Sequence, residues 1–180
     1  MKRNILAIRQ RSRELVLALW MIPLGLSAQQ TFYNTAQIQK IEIQFSQPNW
    51  DYRMDTAKAG AESYLMADWV KINGIRYDSA GVKYKGNSSY DSTIVKNPLN
   101  IGLDEFINQD YEGYKTIKLG NGYADPSLIR EVLGYDILQN YMHCPKANFA
   151  QVYVNGSYWG LYSNAENVNK DFCNNHFYSA

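Results

Sequence analysis

The sequence contains few metal-binding or cross-linking side chains, with two cysteines and two histidines in 180 residues. These four residues fall in none of the paired spacings that zinc sites use, so we expect no metal site. Cys144 and Cys173 lie far apart in the chain. In an oxidising compartment they either form a disulfide or serve as two small hydrophobic side chains in the interior, and two cysteines alone do not decide between these.

Long apolar runs are also absent. The apolar run near the amino terminus, residues 15–26, is shorter than the about 20 residues that a membrane-spanning helix needs. It follows a basic segment and ends in small residues before Gln29, which is the organisation of a secretory signal. We therefore predict a signal peptide over residues 1–28, cleaved near Ala28, and no membrane span in the mature chain. The expected location is secreted, periplasmic or at the cell surface.

Basic clusters are lacking once this leader is removed. The whole chain has 18 basic and 17 acidic residues, of which the leader holds five and one. Thirteen basic and sixteen acidic residues remain in the 152 residues of the mature chain, a net charge of about −3. A nucleic-acid-binding protein normally presents a basic face, so we predict no nucleic-acid partner. The remaining length, residues 29–180, fits a single domain with a hydrophobic core.

Alternating apolar and polar residues predict several strands, of which residues 41–45 show the pattern most clearly. Asn73-Gly74 and Asn155-Gly156 are dipeptides typical of tight hairpin turns, and strand-like segments flank both. Residues 50–63 have a polar, irregular pattern. The other predicted strands are residues 64–72, 75–78, 81–85, 97–103, 114–119, 148–154 and 158–162.

One long helix is predicted between these strands and the second hairpin. Asp125 can cap its free amides, and Pro126 suits the first helical position because its missing N–H is not needed there. The apolar residues of 127–141 cover most of the helix circumference, so we expect packing on more than one side. A short helix is expected over residues 168–172. The predicted fold class is therefore α+β, an antiparallel sheet with one long packed helix.

Three stretches of the sequence carry a combination of motifs. Residues 82–89 run from a strand into a Gly-Asn-Ser-Ser turn, and residues 119–130 contain Asp-Pro-Ser-Leu-Ile-Arg at a helix entrance. Residues 152–162 form an Asn-Gly hairpin, which Glu166 follows. In this order and spacing, over residues 38–177, the motifs resemble the CotH kinase family of spore-coat-type atypical protein kinases. Members of that family are secreted or coat-associated, which agrees with the predicted signal peptide.

The resemblance implies a fold similar to the N-lobe of an atypical protein kinase, with the C-lobe missing from this chain. It implies ATP and Mg²⁺ or Mn²⁺ as cofactors, with the metal ligands outside this segment, and a secreted or envelope protein as the substrate phosphorylated on Ser or Thr. Kinases carry the catalytic aspartate and the metal-binding residues in a second lobe. We therefore expect residues 29–180 to be a truncated bacterial kinase-like domain that is inactive by itself. The oligomeric state stays open.

The Gly-Asn-Ser-Ser turn is the candidate phosphate-binding segment. It comprises Gly86, Asn87, Ser88 and Ser89, directly after a predicted strand. A glycine lets the backbone approach an anion closely, and the following amides and hydroxyls can donate to phosphate. A plain β-turn would have the same sequence, but the resemblance favours phosphate contact.

Charged residues elsewhere supply the remaining candidates. Lys96, which precedes a predicted strand, resembles a lysine that contacts the phosphates, and Lys118 is the rival candidate; either is otherwise a solvated surface lysine. Glu131 lies among apolar residues on the predicted helix, where a lysine partner or the helix dipole would stabilise its charge. Glu166 either lines the nucleotide pocket or caps the next short helix, and the pocket is favoured.

A second function class stays open beside the kinase-like enzyme. The sequence has fifteen tyrosines and four tryptophans, and Trp50, Trp69 and Trp159 lie outside the leader. Exposed aromatic rings can form a stacking platform, so a non-catalytic surface module that binds carbohydrate or protein, including an adhesin, is the alternative. Packing in the core and in the hairpins is the simpler explanation for most of these rings.

Overall fold

The computed structural model describes residues 32–177, which form a curled nine-stranded sheet with three short helices. The predicted signal peptide lies outside these residues, so its presence and cleavage stay predictions. The strands are β1 Ile38–Gln44, β2 Leu65–Met66, β3 Trp69–Ile72, β4 Ile75–Asp78, β5 Gly81–Tyr84, β6 Leu99–Gly102, β7 Thr116–Gly120, β8 Ala147–Val154 and β9 Ser157–Ala165. The helices are α1 Trp50–Ala59, α2 Arg130–Leu138 and α3 Lys170–His176.

The sheet has the strand order β2-β5-β6-β7-β9-β8-β1-β3-β4. Its neighbouring strands are antiparallel with one exception, because β1 and β8 run parallel from Ile38 opposite Phe149 to Ile43 opposite Val154. The predicted α+β class is therefore confirmed. The prediction of a wholly antiparallel sheet is wrong at this one pair, where the first strand joins the sheet far from its neighbours in sequence.

Both predicted Asn-Gly hairpin turns are present. Asn73 and Gly74 have φ angles of 51° and 89°, and Asn155 and Gly156 have φ angles of 49° and 79°. Tight two-residue turns of this kind need positive φ at both central positions, which asparagine and glycine tolerate best. Each asparagine side chain also accepts a hydrogen bond from a backbone amide in or next to β1. Asn73 accepts the Lys40 amide at 2.9 Å, and Asn155 accepts the amide of Phe45, directly after the strand, at 2.7 Å.

The main core lies on one face of the curled sheet, as strand alternation requires. Helix α1 covers it, inserting Trp50 and Met54, and the Trp50 ring stacks on Phe45 with centroids 5.1 Å apart. Residues 50–63 showed no helical pattern because α1 buries only these two residues of its ten. The buried strand residues of this core include Ile41, Ile43, Val70, Ile72, Val82, Tyr84, Leu99, Ile101, Ile117, Leu119, Val152 and Tyr162.

The prediction of one long packed helix over residues 127–141 is wrong. Helix α2 has nine residues, and Val132 is its one buried residue. It starts late because Ala124 and Leu128 adopt left-handed conformations, with φ of 55° and 60°, and Leu128 closes a turn onto the Asp125 carbonyl. The Asp125 carboxylate accepts the amide of Arg130, the first residue of α2, at 2.9 Å, but the N-cap is Ile129 and makes no side-chain hydrogen bond, so the predicted cap at Asp125 is wrong.

The last helix is present, and the two cysteines do not form a disulfide. Helix α3 is capped by the Asn169 side chain, which accepts the Phe172 amide at 3.0 Å. Cys144 is buried and Cys173 is exposed, and both are free thiols. Of the helices in residues 32–177, none has the length and apolar character that a membrane crossing requires.

Alkaline titration is expected to separate the buried tyrosines from the exposed ones. Burial raises the pKa of Tyr84 and Tyr162 well above the ordinary value, and burial followed by a hydrogen bond to Asp55 raises the pKa of Tyr90 to about 12. Unfolded phenols lose their protons near about pH 10, whereas these folded ones keep them, so stability is full below that pH and falls as pH rises above it.

The measurement is phenolate absorbance recorded alongside circular dichroism as pH is raised. The buried tyrosines Tyr84 and Tyr162 should ionise only as ellipticity is lost. Complete phenol ionisation of a still-folded protein would contradict the placement of Tyr84 and Tyr162.

Candidate active site

A cleft of about 470 Å³ opens on the face of the sheet opposite the main core. Three segments form its walls: the turn after β5, the loop after β7, and the first turn of α2. Strand alternation explains the placement, because Leu119 points into the core and Gly120 therefore lies on the other face. Ser163, opposite Gly120 on β9, completes the floor.

Lys85 lies in this cleft, directly after β5. Tyr84 points into the core, so the alternation turns Lys85 to the cleft side, where its amide donates to the Pro98 carbonyl at 3.0 Å. Burial lowers the pKa of the Lys85 ammonium, the Glu131 carboxylate opposes that change, and the Lys118 ammonium adds to it. The cleft therefore holds a partly desolvated cation with one carboxylate nearby.

Glu131 reaches the cleft from the first turn of α2. Its Oε2 accepts a hydrogen bond from the Ser163 hydroxyl and lies over Gly120, where an added Cβ would be 2.7 Å away. Glu131 and Lys85 are not joined by an ion pair within 4.0 Å in the described part of the chain. Glu131 is thus held by the hydrogen bond from Ser163, and its charge raises the pKa of Lys85 without an ion pair between the two side chains.

The predicted phosphate-binding turn contributes two of its four residues. Gly86 and Ser89 line the cleft, whereas Asn87 and Ser88 are not among the lining residues. Gly86 has a φ of 82°, and the space that its side chain would fill is occupied by the Ser89 hydroxyl. The tight turn therefore requires glycine here, and it brings the backbone and one hydroxyl to the cleft edge.

The two predicted lysines lie beside the cleft. The Lys96 ammonium donates to the Asn121 carbonyl at 3.0 Å and lies 5.0 Å from the centre of the Tyr162 ring, and burial lowers its pKa. Lys118 is on the cleft side of β7, two residues before Gly120, and is close enough to Lys85 to lower its pKa. Neither Lys96 nor Lys118 lines the cleft itself.

Glu166 lies elsewhere. It follows β9, is buried, and accepts the Lys146 amide at 3.1 Å. It lines a second pocket of about 140 Å³ whose other walls include Glu112 and Asp171. The cap of α3 comes from Asn169 instead, so the capping alternative for Glu166 is wrong, and Glu166 does not line the cleft described above.

Residues 32–177 contain no cluster of three or more His, Cys, Asp or Glu side chains that could hold a metal ion. The carboxylates that line the cleft are Asp125 and Glu131. Asp125 is already engaged by Ser127 and by the Arg130 amide. Magnesium commonly binds through one or two carboxylates together with substrate phosphates, so Glu131 is the residue that fits such an ion best.

Lys85 and Asn121 are cleft residues that the sequence reasoning did not single out. The signal for Lys85 was present, because Tyr84 and Lys85 end an alternating segment and the aromatic residue was bound to take the core side. Asn121 had no comparable signal, since its role depends on contacts with residues more than twenty positions away.

Comparison with known proteins assigns the family. The family model described as CotH kinase protein matches residues 82–180, more than half of the chain, from the first residues of β5 through the whole cleft. The chain therefore belongs to the CotH kinase family, and the resemblance noted from its motifs is confirmed. No curated protein matches it.

Proposed function

We propose that this chain is the nucleotide-binding part of a secreted kinase of the CotH family, which uses ATP to phosphorylate Ser or Thr on extracellular or envelope proteins. The observation that supports this most directly is the arrangement of Lys85 and Glu131 in a cleft onto which the Gly86 turn opens. Export is supported by the signal-like amino terminus, and the substrate class by the family.

The charges of the cleft suit a bound polyphosphate. Protein kinases hold the phosphates with a lysine that pairs with a helix glutamate. Here Lys85 and Arg130 supply cations, and Lys118 adds a third positive charge close to Lys85. Because burial makes the charge of Lys85 unfavourable, an anion bound in the cleft would offset that desolvation cost.

The shape of the cleft is also compatible with a nucleotide. Its volume of about 470 Å³ falls within the range usual for small-molecule sites, roughly 300–1,000 Å³. The Gly86 turn lets the backbone approach a phosphate, and the Ser89 hydroxyl adds a donor at the same edge. When bound, Mg²⁺ or Mn²⁺ would neutralise phosphate charge, with Glu131 as the carboxylate available to it.

Nucleotide binding is expected to depend on Lys85 and not on Lys83, the neighbouring lysine in β5. Lys85→Met should raise the Kd for ATP at least roughly tenfold, because it removes a charge-assisted contact. Lys83→Met is the matched control: Lys83 lies two residues earlier, over the Tyr64 ring at 4.3 Å, and donates to the Glu62 carbonyl. Equilibrium dialysis with labelled ATP, with and without Mg²⁺ or Mn²⁺, measures both variants.

Any one of three results would count against the proposal. The first is that the folded wild-type chain binds no ATP, and the second is that Lys85→Met binds ATP as well as wild type does. The third is that Lys83→Met loses as much ATP affinity as Lys85→Met. Thermal unfolding should show that Lys85→Met is at least as stable as wild type, since it removes a desolvated cation. A large fall in Tm would mean that Lys85 is structural.

The tryptophans do not favour a carbohydrate-binding module. Trp50 is buried in the core, where its ring meets Phe45 and Trp159. Trp69 is half-buried, and its ring is flanked by Lys71 and Arg76. These contacts account for the tryptophans of residues 32–177 as packing groups, so we make no second proposal for function.

A further inference from the structure

Lys96 and Asn121 exchange hydrogen bonds at the edge of the cleft. The Lys96 ammonium donates to the Asn121 carbonyl at 3.0 Å, and the Asn121 side-chain amide donates back to the Lys96 carbonyl at 3.2 Å. The same amide donates to the Ser89 carbonyl at 2.9 Å. These two residues therefore link three separate chain segments, and we refer to Lys96 and Asn121 as the clamp.

The clamp is fixed in place by packing on its Lys96 side. The Lys96 stem lies against Gly160, where an added Cβ would be 3.2 Å from two of its carbons. The Tyr162 ring lies 5.0 Å from the ammonium, and its hydroxyl donates to the Asn97 carbonyl at 3.1 Å. The Lys96 side chain is thus held along its length. Its ammonium contacts the Asn121 carbonyl and the face of the Tyr162 ring.

Asn121 connects the clamp to the cleft and to the turn predicted to bind phosphate. It directly follows β7 and lines the cleft, and its side-chain oxygen accepts the Tyr123 amide at 3.2 Å. Through Ser89 it contacts the turn that Gly86 opens. The relative position of the two backbone segments expected to face a nucleotide, residues 86–89 and 121–128, therefore depends on this one side chain.

We propose that Lys96 is a positioning residue that acts on bound nucleotide through Asn121, without contacting phosphate; this rests on the nucleotide binding proposed above. Lys96 does not line the cleft. Its ammonium donates to the backbone carbonyl of Asn121 rather than to a carboxylate. Removing it releases the Asn121 carbonyl and lets the loop after β7 move away from the Gly86 turn.

The test is a double-mutant cycle on nucleotide affinity in the full chain. Lys96→Met and Asn121→Ala should each raise the Kd for ATP and for ADP by the same factor, roughly tenfold. The double variant should bind ATP no more weakly than the weaker-binding of the two single variants, because the two residues act as one unit. Lys96→Arg should retain most of the affinity, since a guanidinium can also donate to the carbonyl.

Lys83→Met serves again as the control, because Lys83 also combines a ring contact with a backbone carbonyl but lies away from the clamp. Loss of ATP affinity with ADP affinity intact would overturn the proposal, since it would indicate direct contact with the last phosphate. Fully additive single effects would overturn it as well.

A measurement without nucleotide separates this proposal from the proposed function. Hydrogen exchange should become faster at the amides of residues 86–89 and 121–128 in Lys96→Met, and stay unchanged there in Lys83→Met. If wild type binds no nucleotide, the function fails while faster exchange still supports the clamp. Unchanged exchange in Lys96→Met overturns the clamp whatever the nucleotide result.

Discussion

Gly120→Ala is expected to destabilise the fold and to abolish nucleotide binding together. An alanine Cβ at this position would lie 2.5 Å from the Ser163 hydroxyl and 2.7 Å from the Glu131 carboxylate, closer than real Cβ contacts allow. Both atoms are the ends of flexible side chains, and Glu131 is exposed, so alanine is accommodated by breaking the hydrogen bond between them and turning Glu131 away. The lost hydrogen bond costs about 1–3 kcal/mol of unfolding free energy because it leaves the buried Ser163 hydroxyl poorly paired, and the displaced Glu131 can no longer face Lys85.

Gly134→Ala provides the control from the same region. Gly134 lies within α2 and has no atom within 4 Å of its added Cβ, so alanine there should stabilise the helix by about 0.5–1 kcal/mol. Urea denaturation and ATP titration of both variants test the prediction. A Gly120→Ala protein with wild-type stability and wild-type affinity would show that Glu131 does not occupy the position described.

Asn148→Ala should lower the unfolding free energy by about 2–4 kcal/mol, since it leaves several buried polar groups unpaired. The Asn148 side chain is fully buried and donates to the carbonyls of Phe32 at 2.9 Å and Asn34 at 3.1 Å. Its oxygen accepts the Asn164 amide at 2.9 Å. This side chain is one of the contacts that hold the first described residues against the sheet, together with the packing of Phe32 and Tyr33 in the core.

Gln151→Ala is the comparison variant, because Gln151 is on the same strand but on the opposite, half-exposed face. Its unfolding free energy should stay within about 0.5 kcal/mol of wild type. Equal losses in the two variants would mean that the Asn148 network contributes nothing specific. Chemical denaturation monitored by tryptophan fluorescence distinguishes the two results.

Local sequence signals predicted the parts of the fold that local contacts determine. The turns at Asn73 and Asn155 were recognised because positive φ is a property of the dipeptide itself. The parallel pairing of β1 with β8 was not, because nothing in either segment marks a partner so distant in sequence. The short α2 was missed for a related reason: Asp125 and Pro126 signal a helix start in the sequence, whereas the left-handed conformations of Ala124 and Leu128 depend on the packed loop around them.

The candidate site shows the same division. Gly86 and Glu131 were identified because a glycine turn and a carboxylate on an apolar helix are visible in sequence. Lys85 was overlooked in favour of Lys96 and Lys118, although its place after Tyr84 determined which face it would occupy. The phosphate contact of Lys96 stays a prediction, and the sequence could not show that Asn121 lies next to this lysine in space.

The parallel pair of β1 and β8 has a consequence for the order of synthesis and folding. Strand β1 emerges early from the ribosome, yet its parallel partner is complete only when Val154 has been made. Contacts so distant in sequence form slowly, and the central part of this sheet cannot close before them. A nascent chain of this kind stays open for most of its translation. That property would suit the export proposed above, in which the chain would cross a membrane as an extended polypeptide and fold on the far side.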